Sequence, residues 1–289
     1  MTRPAALSFE FFPPKSLEAS FRLWDCATTL APLDPEFVSV TYGAGGTTRK
    51  LTHEAVAAIH KTMGLRVAAH LTCVDATRAE TMEIVDGYAE AGVSEIVALR
   101  GDPPKGSGGF AAHPEGFAGS VELIEAIAAR GGFNIRVGAY PERHPDAATE
   151  AADIEHLKRK IDAGATSAIT QFFFQAETFF RFRDACAKAG IDAPIIPGIL
   201  PVENWAGCQK FAAATGTSIP PLLREGFDRA AADGSAELYA TAVATQLCDN
   251  LLEGGVEHLH FYTLNRPELT RDVCHALGLA PPVALEQVA

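Results

Sequence analysis

The chain has no run of about 20 apolar residues, the length a membrane-crossing helix requires. Its six cysteines, at positions 26, 73, 186, 208, 248 and 274, form no CxxC pair and no tight cluster. That pattern suggests neither a zinc module nor a disulfide framework and fits reduced thiols. Positive charge is scarce: 24 Lys and Arg stand against 36 Asp and Glu, a formal charge of -12 that would repel a phosphate backbone or an anionic membrane. Nucleic acid and membrane surfaces are therefore not expected partners, although a locally basic pocket for a small anion is compatible with this balance. No GxGxxG turn follows any strand candidate, no GKS or GKT ends a glycine-rich loop, and no GxSxG elbow occurs. An open dinucleotide-binding sheet, a P-loop and a serine hydrolase all lack their signatures. In MTRPAALSFEFFPP, Glu10 and two prolines interrupt what a signal peptide would need as its apolar core. A soluble, cytoplasmic protein is expected.

What the chain does have is alternation. With 47% apolar and 21% charged residues it is too apolar for disorder, and 289 residues allow one large domain or two small ones. Strand candidates start at Leu7, Phe37, Arg66, Glu95, Asn134, Ser167, Pro194 and His258. Most intervals are about 30 residues, the length of a strand, a helix and two loops. Helix signals fill the gaps. In DIEHLKRKIDAG, Ile154, Leu157 and Ile161 share a face before Gly164, and in ELYATAVATQLCDNLLEGG, Tyr239, Val243, Leu247 and Leu251 recur every fourth residue. The double-length interval from Pro194 to His258 holds two or three helices, broken at the SIPP turn. Eight strands without a linker predict an α/β fold: a single (β/α)8 TIM barrel over residues 1–289, with an extra helix or two between the last two strands.

In such a barrel, polar residues late in apolar strands are the first to examine. Glu10 is the one charge in LSFEFF, and strand parity sets Ser8 and Glu10 on one face against Leu7, Phe9 and Phe11. Desolvation in a barrel mouth should raise its pKa and suit it to general-acid work; the structural alternative is a Glu paired with an Arg. In ALRGDPP, Arg100 and Asp102 share parity across Gly101, and they either bridge each other or face a ligand under the glycine-rich loop that follows. TYGAGGTTR offers hydroxyl and backbone donors from Thr41 onward, as ordinary capping turns also do. His70 lies inside a strand, where a hydrogen-bonded core histidine is the commoner role. Gln171 reads as a buried amide in need of partners. His258 and His260 share a face but lie at the strand's start, so core packing or a polar place at the surface is the better reading and no metal site is predicted.

Taken together, SFEFFPPK, VSVTYGAGGTTR, AAHLTC, ALRGDPP, AYPERHP, LKRKIDAGA, AITQFFF, PGILPV and FYTLNR resemble the methylenetetrahydrofolate reductase family, from about residue 7 to 278. The resemblance implies an enzyme of one-carbon metabolism and methionine supply. It would hold FAD non-covalently, take hydride from NADH or NADPH, and reduce 5,10-methylenetetrahydrofolate to 5-methyltetrahydrofolate by ping-pong kinetics. Carried over motif by motif, Glu10 is the general acid, and Asp102 tunes the flavin and stabilises the folate iminium. Flavin contacts fall on Thr41, His70, Arg100, Gly101, Asp102, Tyr140, His144, Asp153 and Lys160. Gln171, Phe211, Tyr262 and Arg266 fall on the substrate side. One departure is Gly207, where a longer polar residue such as Gln is expected. The chain ends soon after the barrel, so no C-terminal regulatory domain is expected, and a homo-oligomer is compatible with the sequence. The alternatives are another flavin barrel of the proline-dehydrogenase kind, a non-redox barrel lyase or isomerase, and a silent ligand-binding barrel.

Overall fold

A computed structural model describes residues 5–43, 49–102 and 110–279. The first half runs β1 (Ala6–Phe11), α1 (Leu17–Leu30), β2 (Phe37–Val40), α2 (Arg49–Met63), β3 (Val67–Thr72), α3 (Arg78–Glu90) and β4 (Glu95–Leu99). It continues with α4 (Ser120–Arg130), β5 (Asn134–Ala139), α5 (Glu150–Asp162), β6 (Ser167–Thr170) and α6 (Ala176–Lys188). The last part holds β7 (Ile195–Ile196), β8 (Gly198–Ile199), α7 (Trp205–Thr215), α8 (Pro221–Asp233), α9 (Ala236–Glu253), β9 (His258–Tyr262) and α10 (Glu268–Ala276). All pairings are parallel, and β1 lies between β2 and β9, so the first and last strands meet in a nearly closed barrel.

Local chemistry starts the helices where the alternation predicts them. The hydroxyls of Ser16 and Thr149 accept the first free N–H groups of α1 and α5, Thr77 and Glu80 form a reciprocal capping box on α3, and the Asn204 side chain caps α7. Three helices, α7, α8 and α9, fill the long interval before β9, with Pro221 opening α8.

Register partners share a face, which sorts the strand side chains into two sets. Leu7, Phe9 and Phe11 join the apolar layer between strands and helices. Inside the barrel, Phe37, Ala68, Val97, Ile169 and Ile196 form a smaller apolar cluster, and around it lie buried polar groups including Ser8, His70, Arg136 and His260. The barrel is therefore filled with polar side chains as well as apolar ones.

One strand departs from the sequence reading. The run beginning at Pro194 is not continuous but two short pieces, because Pro197 has no N–H to give a ladder. β7 pairs with β6, and β8 pairs with β9, so each half serves one neighbour. Side chains stitch this seam: the Gly198 N–H donates to Thr170 Oγ1 at 2.9 Å and the Tyr262 hydroxyl donates to the Thr170 carbonyl at 2.6 Å. A Cβ on Gly198 would lie 2.1 Å from the Thr170 carbonyl oxygen and 2.6 Å from the Tyr262 ring. Gly198→Ala is therefore expected to cost about 3 kcal/mol, read as a lowered urea midpoint. An unchanged midpoint would show that the seam has slack.

Candidate active site

Thr41, Arg100, Tyr140 and Gln171 each follow directly on the last residue of a strand, β2, β4, β5 and β6 respectively. Because the strands are parallel, these four stand on one rim. Beside them opens a cleft of about 400 Å³ lined by Arg100, Gly101, Asp102, Tyr140, His144, Asp153 and Lys160, with His156, Asp146 and Tyr42. Seven of the nine residues assigned to flavin contact meet here. Thr41 lines a neighbouring cleft of about 610 Å³ with Phe12, Lys15, Arg22 and Asn265. His70 stands away from both, inside the barrel against Glu10. Residues 44–48 and 103–109, which carry the centre of TYGAGGTTR and most of the glycine-rich loop, lie outside the described residues.

Gly101 turns the chain out of β4 with φ +89, and a Cβ there would meet Val74 and Thr72 at 2.7 and 2.8 Å. Both the backbone angle and the space require glycine. Beyond it, Arg100 and Asp102 do not bridge each other: Arg100 donates to Asp146 Oδ2 at 2.9 Å and lies 4.9 Å over the Phe110 ring. That bond from Arg100 is the main reason the Asp146 carboxyl sits below the usual range. Asp102 is left exposed at the cleft.

The turn after β5 is held by hydrogen bonds from its own residues. The His144 N–H donates to Asp153 Oδ2 at 2.7 Å, and His144 Nδ1 accepts the Asp146 N–H at 3.0 Å. The imidazole packs edge-on to Tyr140 at 4.5 Å, and burial pushes its pKa down. Lys160 reaches in from α5, and its ammonium donates to the Gly138 carbonyl at 3.0 Å. Burial lowers its pKa to about 8 although Asp153 opposes the shift. His156, one turn before it, was not singled out in the sequence; burial and the charges of Lys160 and Arg159 bring it down to about 4. Its position four residues before Lys160 on an amphipathic helix is the signal that would have found it.

Glu10 requires a correction. Burial alone would raise its pKa, as the sequence suggests, but His70 and His260 outweigh burial and bring the carboxyl down to about 2. His70 Nε2 lies 3.3 Å and His260 Nε2 3.9 Å from Glu10 Oε2. Among the described residues its ion-pair partners are these imidazoles and no arginine. An early place in its strand suggests packing or a polar surface position for His260; the register Ser8↔His260 instead sets it beside β1, on the face that carries Glu10.

The substrate-side residues are less converged. Gln171 is half-buried, and its Oε1 accepts the Phe172 N–H at 3.0 Å. Its amide also lies beside Tyr140, where it opposes the upward shift that burial and Asp102 impose on that phenol. Tyr262 packs its ring edge-on to His260 at 5.2 Å, and burial with the nearby Glu10 charge keeps its phenol protonated. Phe211 is 46% exposed on α7, and Arg266 donates to Glu203 Oε2 at 3.1 Å; neither lines the two clefts. Asn265, also unanticipated, clamps the end of β1, accepting the Phe12 N–H at 2.8 Å and donating to the Phe12 carbonyl at 2.9 Å. At Gly207, whose N–H donates to the capping Asn204, a Cβ would come within 3.3 Å of that side chain. The departure from a longer residue thus accompanies a tight cap.

A parallel α/β barrel with a cleft on its C-terminal rim lined by Arg100 and Lys160 as well as three aspartates, and with a histidine-flanked carboxyl inside, belongs with the barrel enzymes. Comparison with known proteins is consistent with that class and narrows it. The family model for methylenetetrahydrofolate reductase matches residues 2–278. The 5,10-methylenetetrahydrofolate reductase of Escherichia coli K12 is 47% identical over 277 residues, covering 95% of this chain and 91% of that protein. The enzyme of the same name from Pectobacterium carotovorum is 45% identical over 279 residues, covering 96% and 92%. A solved structure of a Clostridium thermocellum protein that binds two copies of 5-methyl-5,6,7,8-tetrahydrofolic acid superposes with TM-score 0.57 over 96% of this chain and 94% of that one. At 13% identity that likeness shows the fold alone. The chain belongs to the methylenetetrahydrofolate reductase family. Among the described residues no cluster suited to a metal ion occurs, and no helix is long and apolar enough to cross a membrane.

Proposed function

We propose that this chain reduces 5,10-methylenetetrahydrofolate to 5-methyltetrahydrofolate with electrons from NADH or NADPH, using non-covalently bound FAD. The observation that carries this reading is the convergence of Arg100, Gly101, Asp102, Tyr140, His144, Asp153 and Lys160 on one rim cleft of a chain in this family. The donor set suits a dinucleotide: Lys160 and Arg100 offer cations to a diphosphate, while Tyr140 and the neutral His144 offer ring faces and polar edges. When bound, FAD supplies the two-electron carrier between donor and folate.

The chain's own residues supply the rest. Glu10 gives a proton to the folate nitrogen as the imidazolidine ring opens, making that nitrogen a leaving group and the methylene carbon an iminium. Asp102 sets a negative charge at the rim, where it stabilises that cation. The Gln171 amide N–H₂, set beside the Tyr140 phenol, has a second N–H that can bind an acceptor on the pterin edge. Phe211 presents an exposed ring for stacking against the nicotinamide or the folate's aromatic tail, and Tyr262 with Arg266 borders the substrate. One rim serving donor and folate in turn requires ping-pong kinetics.

Anaerobic half-reactions test this reading. The purified protein should carry flavin absorbance, bleach with NADH or NADPH, and recover its colour on addition of 5,10-methylenetetrahydrofolate. Reduced protein that fails to reoxidise with that folate would refute the proposal. Asp102→Asn is expected to slow the folate half-reaction about tenfold, about 1.4 kcal/mol, without slowing reduction by NADH. Wild-type rates in both half-reactions would remove Asp102 from the chemistry.

A further inference from the structure

The barrel interior holds a row of polar side chains that the proposed reaction leaves without a task. It begins at Glu36, just before β2 and 42% exposed at the barrel's amino-terminal end. Glu36 Oε2 lies 3.6 Å from His258 Nδ1. His258 Nε2 lies 2.8 Å from Ser8 Oγ, and the same oxygen lies 2.8 Å from His260 Nδ1. His260 Nε2 then faces Glu10 Oε2 at 3.9 Å and has no hydrogen-bond partner. Ser8 and His260 are fully buried, and the Phe37 ring packs against both imidazoles at 5.7 and 5.8 Å, walling the row from the rest of the interior. The row runs from solvent at one end of the barrel to the acid near the other.

We propose that Glu36, His258, Ser8 and His260 form a proton relay that recharges Glu10 from the barrel end opposite the substrate. The proposal rests on Glu10 acting as the acid in the function proposed above. Each folate reduction removes one proton from Glu10, and folate seated on the rim covers the direct route from solvent on that side. A neutral imidazole has one N–H and one lone pair, so the row has a direction and two orderings. In the first, Glu36 has just taken a proton from solvent, each imidazole carries its proton on Nε2, the Ser8 hydroxyl donates to His260 Nδ1, and Glu10 is a carboxylate. Four transfers then run in sequence: Glu36 to His258 Nδ1, His258 Nε2 to Ser8 Oγ, Ser8 Oγ to His260 Nδ1, and His260 Nε2 to Glu10. The result is a protonated Glu10, a Glu36 carboxylate that takes a new proton from solvent, and two imidazoles still neutral with their protons on Nδ1, from which both must return to the Nε2 tautomer before the row can run again. No charge is stranded on a buried ring.

The surroundings favour that neutral route. Burial lowers the pKa of both His258 and His260; at His260 the Glu10 carboxyl opposes the shift without cancelling it, and Arg136 adds to the lowering at both. Arg136, on β5, lies 3.8 Å over the Phe37 ring, 3.0 Å from Glu95 Oε2 of β4 and 3.8 Å from Glu36 Oε1. From β3, His70 faces Glu10 at 3.3 Å and is the competing proton source. The two end gaps, 3.6 and 3.9 Å, are longer than a hydrogen bond, and catalytic contacts commonly shorten when substrate binds.

Ser8→Ala cuts the row in the middle and leaves Glu10, His70 and His260 in place. In the holoenzyme it should slow folate-driven reoxidation of the flavin by about tenfold or more and leave reduction by NADH unchanged. His258→Ala should show the same defect, and imidazole added to the buffer should restore the rate, which a merely structural role would not allow. The wild-type folate step should be slower in D₂O than in H₂O. Ring ¹⁵N NMR of the oxidised holoenzyme reads the coupling without folate: Glu36→Gln should move the His260 nitrogens in the wild-type background and not in Ser8→Ala. Wild-type reoxidation in both Ser8→Ala and His258→Ala, or His260 nitrogens blind to Glu36→Gln, would overturn the relay. If folate fails to reoxidise even the wild type while the nitrogens remain coupled, the proposed substrate falls and the wired row stands.

Discussion

Glu10→Gln is expected to slow the folate half-reaction by about 100- to 10,000-fold while the flavin is reduced by NADH at its wild-type rate. Glutamine keeps the shape of the side chain, so the strand pairing of Glu10 with Ser39 and Tyr262 and the surrounding barrel should persist. What it loses is the ability to pass a proton. The carboxyl is held low, despite burial, by the two imidazoles facing it. That lowering lasts only while their protons point at Oε2. Once an imidazole hands its proton over, burial acts alone and favours the protonated acid. In the relay proposed above, carboxyl and imidazole would exchange that proton, and the acid would form when folate draws on it. Stopped-flow measurement of the two half-reactions separates the roles. Equal losses in both would make Glu10 a flavin-site residue, and a loss well under 100-fold in the folate step would reduce it to a structural one.

The barrel was legible because its signals are local. Five strands begin at the residue where the β-rich run begins, Phe37, Glu95, Asn134, Ser167 and His258, and parity within LSFEFF separated Glu10 from the outward Phe9 and Phe11 correctly. Contacts across the closure were not legible. His260 reaches Glu10 only through the pairing of the first strand with the last, and Arg100 found Asp146, far along the chain, instead of Asp102 two residues away. Nor does hydropathy reveal that Pro197 divides a strand whose halves serve different neighbours. The same limit explains the mistaken direction of the Glu10 shift: burial can be read from an apolar run, but the charges that oppose it come from β3 and β9. Family membership sets aside the proline-dehydrogenase-like and lyase readings that local motifs left open.

Lys160→Met should weaken FAD binding about 10- to 100-fold, the loss of one charge-assisted hydrogen bond of about 1.5–3 kcal/mol. Its ammonium is tied to the Gly138 carbonyl at the cleft floor, and burial has brought its pKa from the ordinary 10.5 to about 8. Below pH 8 the side chain is a cation available to a diphosphate, and above it the charge is lost. FAD affinity should therefore fall as pH rises through about 8 in the wild type, and should be flat there in Lys160→Met. The stability of the unliganded protein should move the other way. Between about 8 and 10.5 the unfolded chain still holds the Lys160 proton while the folded chain has released it, so stability rises with pH across that window. An anion seated on Lys160 restores its pKa, so binding near pH 8 must take up a proton. Calorimetry in buffers of different ionisation enthalpy measures that uptake directly. Proton uptake absent from the wild type, or present undiminished in Lys160→Met, would place the diphosphate elsewhere in the cleft.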